Sequence, residues 1–448
     1  MCRSRFYFHG LFLFAVLALL GACRKDAPDP SYPPGSNEAI NDWVLDSMAV
    51  YYYWNRNLPK NPARWKAPVD FFADIRYRDD RFSELVHPSR PDTYQQTMTG
   101  NFGLDLVAVE SGQNLALYIS LVVPNSMAAR SGLKRGQRVV TVNAIRPDAG
   151  NVADLVNGCI ANGIAELEID GMDEPISLVA THINENPVHV FNLVGTGMKT
   201  GYLFLNRFDS GRLSPVMEAF DYFRSHGVSE LIIDLRYNPG GDVPVAALVA
   251  ALLAPVNGAD IFAEYRGNTN AGVKRNNFDA ELSFINHNVS GLAIRRLNLS
   301  RVFFLTGRHT LSAAELLVNN LAPYMDVIRI GEQTHGKDMA AFVIRDHQQP
   351  SPADGWILHP LVYKLYNAQG IGDYPEGLAP DIGVNELSIL PLRPLGAESD
   401  PLVAAALSQL SGTNAQSQRY AQPASTAPKI ILDTRIAVDK QSGVPLVR

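Results

Sequence analysis

The sequence predicts a multi-domain protein of the α/β class, α+β in overall composition, with a helical N-terminal domain, a small β-domain and an α/β core of βαβ units. Three observations lead to this prediction. Apolar residues first recur at a helical period, short β-type runs follow from about residue 100, and continuous apolar strands alternate with helices from about residue 184. The 448 residues can bury at least one large core. The net charge of −6 gives no basic surface for nucleic acid.

Residues 1–22 have the pattern of a secretory signal peptide. Arg3 and Arg5 precede an apolar run over Leu11–Leu20, which is shorter than the roughly 20 residues of a membrane span. The ending Leu20-Gly21-Ala22-Cys23 resembles a bacterial lipobox, which implies lipidation of Cys23 and a lipid-anchored protein of the bacterial cell envelope, periplasmic or at the outer membrane. An uncleaved anchor, or an ordinary signal peptide with a chance cysteine, is the alternative. The Pro-rich, polar residues 23–37 predict a tether.

Residues 38–99 predict a small helical domain. Apolar side chains recur near a 3.6-residue period from Ile40 to Tyr52, and Asn41 or Ser36 is placed to cap this helix. Prolines break the pattern, and a second helix is expected around Val69–Ile75. We interpret the aromatic stripe of the first helix as core.

Residues 100–183 predict a β-domain with a short helix ended by Gly132. Its β-type runs are Gly103–Val109, Leu115–Val123, Arg138–Asn143 and Ala165–Ile169. This order, and the phrases Pro-x-Ser-x-Ala-x-x-Ser-Gly-Leu and Gly-x-x-Val-x-x-Val-Asn, resemble a PDZ domain. Such a domain captures a peptide C-terminus on backbone N–H groups and adds the peptide as a strand. The stretch Phe102-Gly103-Leu104-Asp105 matches its carboxylate loop. A β-domain that acts only as a spacer is the alternative.

Residues 184–410 predict the α/β core, a βαβ sheet covered on both faces. Its strands are expected at Thr200–Leu205, Leu231–Leu235, Val302–Leu305 and Val327–Ile330, and its helices at Leu213–His226, Val243–Leu253, Ser312–Ala322 and Asp400–Leu410. The Asn-rich stretch 255–300 is weakly periodic, and we interpret it as a loop excursion near the active face. The tail 411–448 is polar apart from a strand-like run at Lys429–Leu432.

Cysteine usage is consistent with a secreted protein that forms no internal disulfide. Cys2 would leave with the signal peptide and Cys23 would carry lipid, so Cys159 is left alone. We predict that Cys159 is a small buried hydrophobic residue.

Ser312 has two interpretations. The pattern Ser-x-x-Glu before an apolar run is a capping box, in which Glu315 reaches back to the start of the helix. A serine at a helix N-terminus is also suited to nucleophilic attack, because its own N–H or that of Ala313 can point to a developing oxyanion. The preceding strand would deliver Ser312 to the carboxyl edge of the sheet, where α/β sites gather.

Lys337 and a glycine turn supply the other parts of a serine hydrolase. A lysine that is buried loses its proton more readily and can then serve as the base for a serine hydroxyl. The stretch Asp234-Leu-Arg-Tyr-Asn-Pro-Gly240-Gly241 ends a strand with a tight turn, from which Gly240 or Gly241 could donate a second N–H to the oxyanion. A surface lysine and an ordinary turn are the alternatives. A Ser-His-Asp triad with His309 or His335 is less favoured, because no Gly-x-Ser-x-Gly elbow surrounds Ser312.

In combination these motifs resemble the C-terminal processing, or tail-specific, serine peptidases, in particular a Bacteroidetes-type lipoprotein branch with a PDZ domain. The resemblance implies Ser312 as nucleophile, Lys337 as general base, and Ala313 with Gly240 or Gly241 as oxyanion donors. Two positions depart from the family pattern. Ala314 stands where the family often has Ser, and Ala341 stands where many members carry a Gln that orients the lysine. We expect Glu315 or packing alone to orient Lys337.

The sequence therefore predicts a secreted, lipid-anchored serine endopeptidase that binds polypeptides, by their free C-termini, through the PDZ-like domain. No metal or cofactor is implied, since the histidines show no ligand spacing. A lipoprotein that binds peptide tails or an apolar ligand without turnover is the rival prediction. A third possibility is a peptidase whose PDZ-like domain covers the site until a partner arrives.

Overall fold

The structure is a computed structural model that describes residues 32–94, 96–111, 114–197, 199–347, 351–411 and 428–435. The predicted signal peptide, most of the predicted tether and Cys23 lie outside these residues. Within the described ranges no helix is both long and apolar enough to cross a membrane.

The N-terminal region contains two α-helices and one short strand. Ser36 caps the first helix, since its Oγ accepts a hydrogen bond from the Ala39 N–H at 3.2 Å. The stretch predicted as wholly helical also contains a strand, which pairs antiparallel with Ile357–His359. The strand is only three residues long and its partner is remote, so no local periodicity indicates it. The elements are α1 (Asn37–Tyr51), α2 (Pro68–Ile75) and β1 (Glu84–Val86).

The second region is an antiparallel β-sheet with three helices. It contains the predicted order of strand, strand, short helix, strand, helix and strand, with one further helix before it and one further strand after it. Its elements are α3 (Met98–Phe102), β2 (Leu104–Ser111), β3 (Asn114–Val122), α4 (Met127–Arg130), β4 (Arg138–Val142), α5 (Val152–Asn162), β5 (Ile164–Ile169) and β6 (Ile176–Val179). Alternate strand side chains pack against α5, which contributes Val156 and Cys159 to the core. Cys159 is free and fully buried, as predicted.

The α/β core holds a six-stranded sheet and a smaller four-stranded sheet. Its strands are β7 (Val188–Val194), β8 (Thr200–Leu205), β9 (Glu230–Asp234), β10 (Ile261–Gly267), β11 (Val273–Asn277), β12 (Arg301–Thr306), β13 (Asp326–Gly331), β14 (Met339–Ala341), β15 (Ile344–Arg345), β16 (Ile357–His359), β17 (Leu361–Tyr366) and β18 (Ile382–Gly383). Its helices are α6 (Ser214–Ser225), α7 (Val243–Leu253), α8 (Phe278–Ser283), α9 (Ala313–Leu321) and α10 (Pro401–Ser411).

The six-stranded sheet has the order β18-β13-β12-β9-β8-β7 and is parallel except at the β7–β8 pair. Side chains alternate between its faces. Leu231, Ile233 and Phe304 point to the face covered by α6, α7 and α9, whereas Ile232 and Phe303 point to the face covered by α10. The sheet is thus covered on both faces, as its continuous apolar strands predict.

The prediction that residues 255–300 form a loop excursion is wrong. They contain the hairpin β10–β11 and helix α8, and the hairpin extends a sheet with the order β11-β10-β17-β14. Strand β10 pairs with β17, about a hundred residues away in the chain, so the hairpin is stabilised by a contact that its own sequence does not indicate.

The strand-like run near residue 430 does form a strand, β19 (Ile430–Asp433). It pairs antiparallel with β2 and extends the sheet of the second region to the order β19-β2-β3-β4-β5-β6.

Candidate active site

Ser312 lies between β12 and α9 in a backbone conformation that non-glycine residues rarely adopt. Its φ and ψ are 59° and −122°. Such a conformation costs about 1–3 kcal/mol and persists only where the surrounding structure imposes it. The side chain is half-buried at the N-terminus of α9, and the predicted capping box between Ser312 and Glu315 is present. The strain marks Ser312 as more than a helix cap.

Glu315 fixes the backbone of Ser312 against the backbone of Lys337. Its Oε2 accepts hydrogen bonds from the N–H of Ser312 at 2.9 Å and from the N–H of Lys337 at 2.8 Å. Its Oε1 accepts from the Gly336 N–H at 2.7 Å and from the Thr334 hydroxyl at 2.5 Å. Glu315 is fully buried, and burial raises the pKa of its carboxyl while these four donors lower it. One carboxylate therefore holds the two key segments together.

The turn after β9 packs directly on Ser312. A Cβ placed on Gly240 would lie 2.7 Å from the Ser312 Cβ and 2.9 Å from the Ala313 N, and the φ of Gly240 is +96°. Only glycine permits this backbone at this distance. The turn is held by Asn238, whose Oδ1 accepts from the Gly240 N–H at 2.7 Å and whose Nδ2 donates to the Leu205 carbonyl at 2.8 Å.

These contacts separate the two glycines that the sequence offers as oxyanion donors. The Gly240 N–H is already bonded to Asn238. Among the described residues, the N–H groups of Gly241 and Ala313 have no acceptor. Gly241 has a φ of +132°, and its neighbours Gly240 and Asp242 form the hydrogen bonds with Phe208. The geometry therefore leaves Ala313 and Gly241, rather than Gly240, with N–H groups to offer an oxyanion.

Lys337 is surrounded by residues of the N-terminal region. Its Nζ lies 5.4 Å from the centre of the Phe82 ring, and the Arg81 guanidinium donates to the carbonyls of Gly336 at 3.0 Å and Pro375 at 2.8 Å. Burial lowers the pKa of Lys337, whereas the charges of Glu84, Asp80 and Glu315 act to raise it. The net direction is downward, which is the direction that a lysine base requires.

Glu84 and His359 are titratable groups of this site that the sequence does not single out. They are paired across strands β1 and β16. Burial raises the pKa of Glu84 to about 8, against the opposing charges of Lys337 and Arg76. Burial and the charge of Lys337 lower the pKa of His359 to about 4. The sequence around Glu84, from Arg81 to Val86, has no alternating pattern and is too short to be distinguished from a loop.

A buried ionic cluster anchors the residues at which the glycine turn begins. Arg236 is 2% exposed and bonds Asp234 and Asp400 at 2.7 to 3.0 Å. Glu386 accepts from the Tyr237 hydroxyl at 2.7 Å and from Arg135, a residue of the second region, at 2.9 Å. The hydrogen-bonding groups of this cluster satisfy one another, so the cluster holds the start of the glycine turn in place.

Among the described residues, the remaining predicted side chains form no hydrogen bond with Ser312. Phe102, Leu104 and Asp105 are fully buried at the start of β2, and Gly103 has a φ of +78°. His309 bonds Asp433 through Nε2 at 2.8 Å. Within the described ranges neither His309 nor His335 forms a hydrogen bond with Ser312, so the residues of a Ser-His-Asp triad are not assembled there. Ala341 lies in β14 and carries no polar group toward Lys337.

Two models of one peptidase family match the chain. The model of peptidase family S41 matches residues 199–384, and that of the peptidase S41 N-terminal domain matches residues 39–83. The two matches together span more than half of the chain and include Ser312, Lys337 and the glycine turn. The chain belongs to peptidase family S41.

Relatives agree with this assignment. The chain is 23% identical to the chloroplastic C-terminal processing peptidase of Tetradesmus obliquus, over 72% of this chain and 70% of that protein. It is 22% identical to a probable CtpA-like serine protease of Staphylococcus epidermidis, over 69% of this chain but only 59% of that protein. A solved structure of a candidate S41 protease from Bacteroides fragilis is 28% identical, with a TM-score of 0.67 over 86% of this chain and 99% of that one. The α/β fold, with N-terminal helices and several sheets, is thus that of an S41 protease.

Proposed function

We propose that this chain is a serine endopeptidase in which Ser312 is the nucleophile and Lys337 is the general base. The strained backbone of Ser312, together with the carboxylate of Glu315 that holds it against the Lys337 segment, is the observation that carries the proposal. A capping residue alone does not require a φ of 59°.

The reaction follows from the groups at the site. Neutral Lys337 takes the proton of the Ser312 hydroxyl as its Oγ attacks the scissile carbonyl carbon. The tetrahedral oxyanion accepts hydrogen bonds from the N–H groups of Ala313 and Gly241. The protonated lysine then gives its proton to the leaving amine, and the C–N bond breaks to leave an acyl-enzyme. Water, deprotonated by Lys337, hydrolyses that ester.

In this scheme Glu315 positions the backbones of Ser312 and Lys337, and the charge of Glu84 raises the pKa of Lys337. Glu315 bonds the backbone of Lys337, so it does not replace the absent Gln by contacting the ammonium. The groups whose charges reach the ammonium are Glu84 and Asp80 of the N-terminal region, together with Glu315. The N-terminal region therefore has a part in setting the basicity of Lys337.

We further propose that residues 100–183 are a PDZ-like domain that binds the polypeptide substrate, and that a lipid on Cys23 anchors the protein in the bacterial cell envelope. The element order of the second region, in which β2 begins at Leu104 within the stretch Phe102–Asp105, supports the first part. The lipobox-like sequence supports the second. The free C-terminus of the substrate is the ligand that the resemblance implies.

Cleavage of casein by the purified chain, beside Ser312→Ala and Lys337→Ala, tests the dyad. We expect cleavage by the wild type alone, with both variants folded by circular dichroism. Full activity in either variant would refute the assignment. Covalent labelling by a serine-reactive probe separates a peptidase from a lipoprotein that only binds peptides. Palmitate incorporation that persists in Cys23→Ser would contradict the anchor.

A further inference from the structure

The chain adds one of its own segments to the edge of the proposed substrate-binding domain. Without β19, strand β2 would be the edge of its sheet, and an edge strand presents unpaired N–H and C=O groups to any extended peptide. Residues 429–434 occupy this edge antiparallel to β2. The Glu110 N–H donates to the Lys429 carbonyl at 2.9 Å, and the Thr434 N–H donates to the Leu106 carbonyl at 3.0 Å.

Apolar side chains of this segment complete two clusters. Ile431 and Leu432 pack on the core that α5 and β2 share, and Ile430 packs with Val109. All three are half-buried. The segment therefore follows β2 in the way that an added peptide strand follows its domain.

Polar contacts fix the end of the segment beside the predicted carboxylate loop. Asp105, which is fully buried, accepts from the Thr434 hydroxyl at 3.2 Å and from the Arg435 guanidinium at 2.6 Å. The Leu106 N–H donates to the Thr434 Oγ1 at 2.8 Å. A hydroxyl and a guanidinium thus satisfy the negative group at this end of the groove.

The same residues tie the segment to the glycine turn of the active site. Arg435 donates through Nε and Nη2 to the Tyr237 carbonyl at 3.0 and 2.8 Å, one residue before Asn238. Asp433 bonds both Arg308 and His309 at 2.8 Å, in the loop that leads to Ser312. The segment therefore contacts the binding domain and both loops that form the site.

We propose that the β2 edge is a binding site for an extended peptide that carries apolar residues followed by a hydroxyl residue and a basic residue. Residues 429–435 of the chain occupy this site, and a polypeptide substrate must displace them to bind there. The chemistry of Asp105 selects the ligand. A free carboxylate placed there would meet a buried charge of its own sign, whereas an arginine neutralises that charge, so this end of the edge favours a basic side chain over the free C-terminus that the resemblance implies. This inference rests on the proposed function only in taking the displacing peptide to be a substrate.

Exchange with an added peptide tests the proposal on the full chain. The probe is a fluorescein-labelled, amidated peptide Lys-Ile-Ile-Leu-Asp-Thr-Arg, and the readout is fluorescence anisotropy. Arg435→Ala removes the charged contact that holds the internal segment, so this variant is expected to bind the probe about tenfold more tightly than the wild type. Lys429→Ala is the matched control in the same segment, since it loses only an exposed ion pair with Glu110 and is expected to leave the affinity unchanged. A probe with Glu in place of Arg should bind neither protein.

A covalent lock provides a second test that does not depend on weakening the segment. Val109 and Ile430 are paired in register, so Val109→Cys combined with Ile430→Cys can join the two strands on oxidation. Probe binding is expected to disappear in the oxidised form and to return on reduction. Equal probe affinity in wild type and Arg435→Ala, no binding by either, or binding that the lock does not change would overturn the proposal.

The outcome is independent of catalysis because binding is measured directly. Labelling of Ser312 by the serine-reactive probe is recorded on the same samples. Peptide exchange without labelling would remove the proposed function and leave the occupied site standing. Labelling without peptide exchange would leave the proposed function standing and overturn the proposal of an occupied site.

Discussion

Replacement of Glu315 by Gln tests whether one carboxylate holds the site together. The side chain accepts hydrogen bonds at both oxygens, two at Oε1 and two at Oε2, and three of the four donors are backbone N–H groups that cannot turn away. Glutamine has one oxygen. In its better orientation that oxygen stays with Ser312 and Lys337, and the amide NH₂ faces Gly336 and Thr334.

The expected cost follows from this count. The Thr334 hydroxyl can turn to accept from the amide and direct its proton away from it, whereas the Gly336 N–H cannot turn and loses its acceptor, at about 1–3 kcal/mol for a buried group. The hydrogen bonds to Ser312 and Lys337 also lose their charge. We expect the free energy of unfolding to fall by about 2–3 kcal/mol. A shift of the Lys337 segment by about 1 Å would lower kcat about a hundredfold with KM little changed.

The measurements are urea unfolding and steady-state cleavage of a fluorogenic peptide at pH 8. Glu218→Gln, an exposed position on α6, is the matched control and should change neither quantity. If Glu315→Gln keeps kcat within about twofold of the wild type while losing stability, the carboxylate only stabilises the fold and the positioning argument is wrong.

Three further predictions follow from other contacts. Gly240→Ala should abolish activity, and it should destabilise the protein by more than the roughly 1–2 kcal/mol that an alanine pays for a left-handed backbone, because its Cβ would collide with Ser312. The control is Gly158→Ala, which has open space around its Cβ and should be neutral or stabilising in the same thermal and activity assays. Glu84 has a pKa of about 8, so its charge raises the pKa of Lys337 mainly above that pH. Glu84→Gln should therefore move the part of the acidic limb of kcat/KM that lies above about pH 8 to lower pH, and an unmoved limb in that range would contradict this. Although burial acts to raise it, the charges of Arg135 and Arg236 lower the pKa of Glu386 from 4.5 to about 2. Glu386→Gln should therefore lower the free energy of unfolding by about 3 kcal/mol at pH 7, and the difference from wild type should shrink as the pH falls from about 4.5 to about 2. A difference that does not depend on pH would exclude the charge as its cause.

Local patterns predict the core sheet and its helices well. Strands β8, β9, β12 and β13 are continuous apolar runs bounded by turn residues, and helices α6, α7 and α9 follow them at the expected spacing. These elements place Ser312 and the glycine turn at the same edge of the sheet, which is why the sequence alone could suggest a shared site.

The parts that the sequence does not predict depend on remote pairing. Strand β1 finds its partner β16 more than 250 residues later, and β19 finds β2 across more than 300 residues. Strand β1 carries no periodicity of its own, and the strand-like run at Lys429–Leu432 predicts β19 but not its partner. The surroundings of Lys337, the role of Glu84 and the occupant of the β2 edge were for this reason beyond sequence reasoning.

The signal peptide, the lipid on Cys23 and the domain boundaries stay predictions. Among the two oxyanion candidates at the turn, the sequence could not separate Gly240 from Gly241, since the choice depends on which N–H the Asn238 side chain occupies.

The packing of Arg81 and Phe82 around the Lys337 segment has a consequence for the folding of the newly synthesised chain. A ribosome delivers residue 82 long before residue 337, and the lysine keeps its proton in water until the two segments meet. On the proposed mechanism, a nascent or half-folded chain therefore carries a serine with no base to activate it. The proposed peptidase would stay latent until the segment of Arg81 and Phe82 has packed against the segment of Lys337.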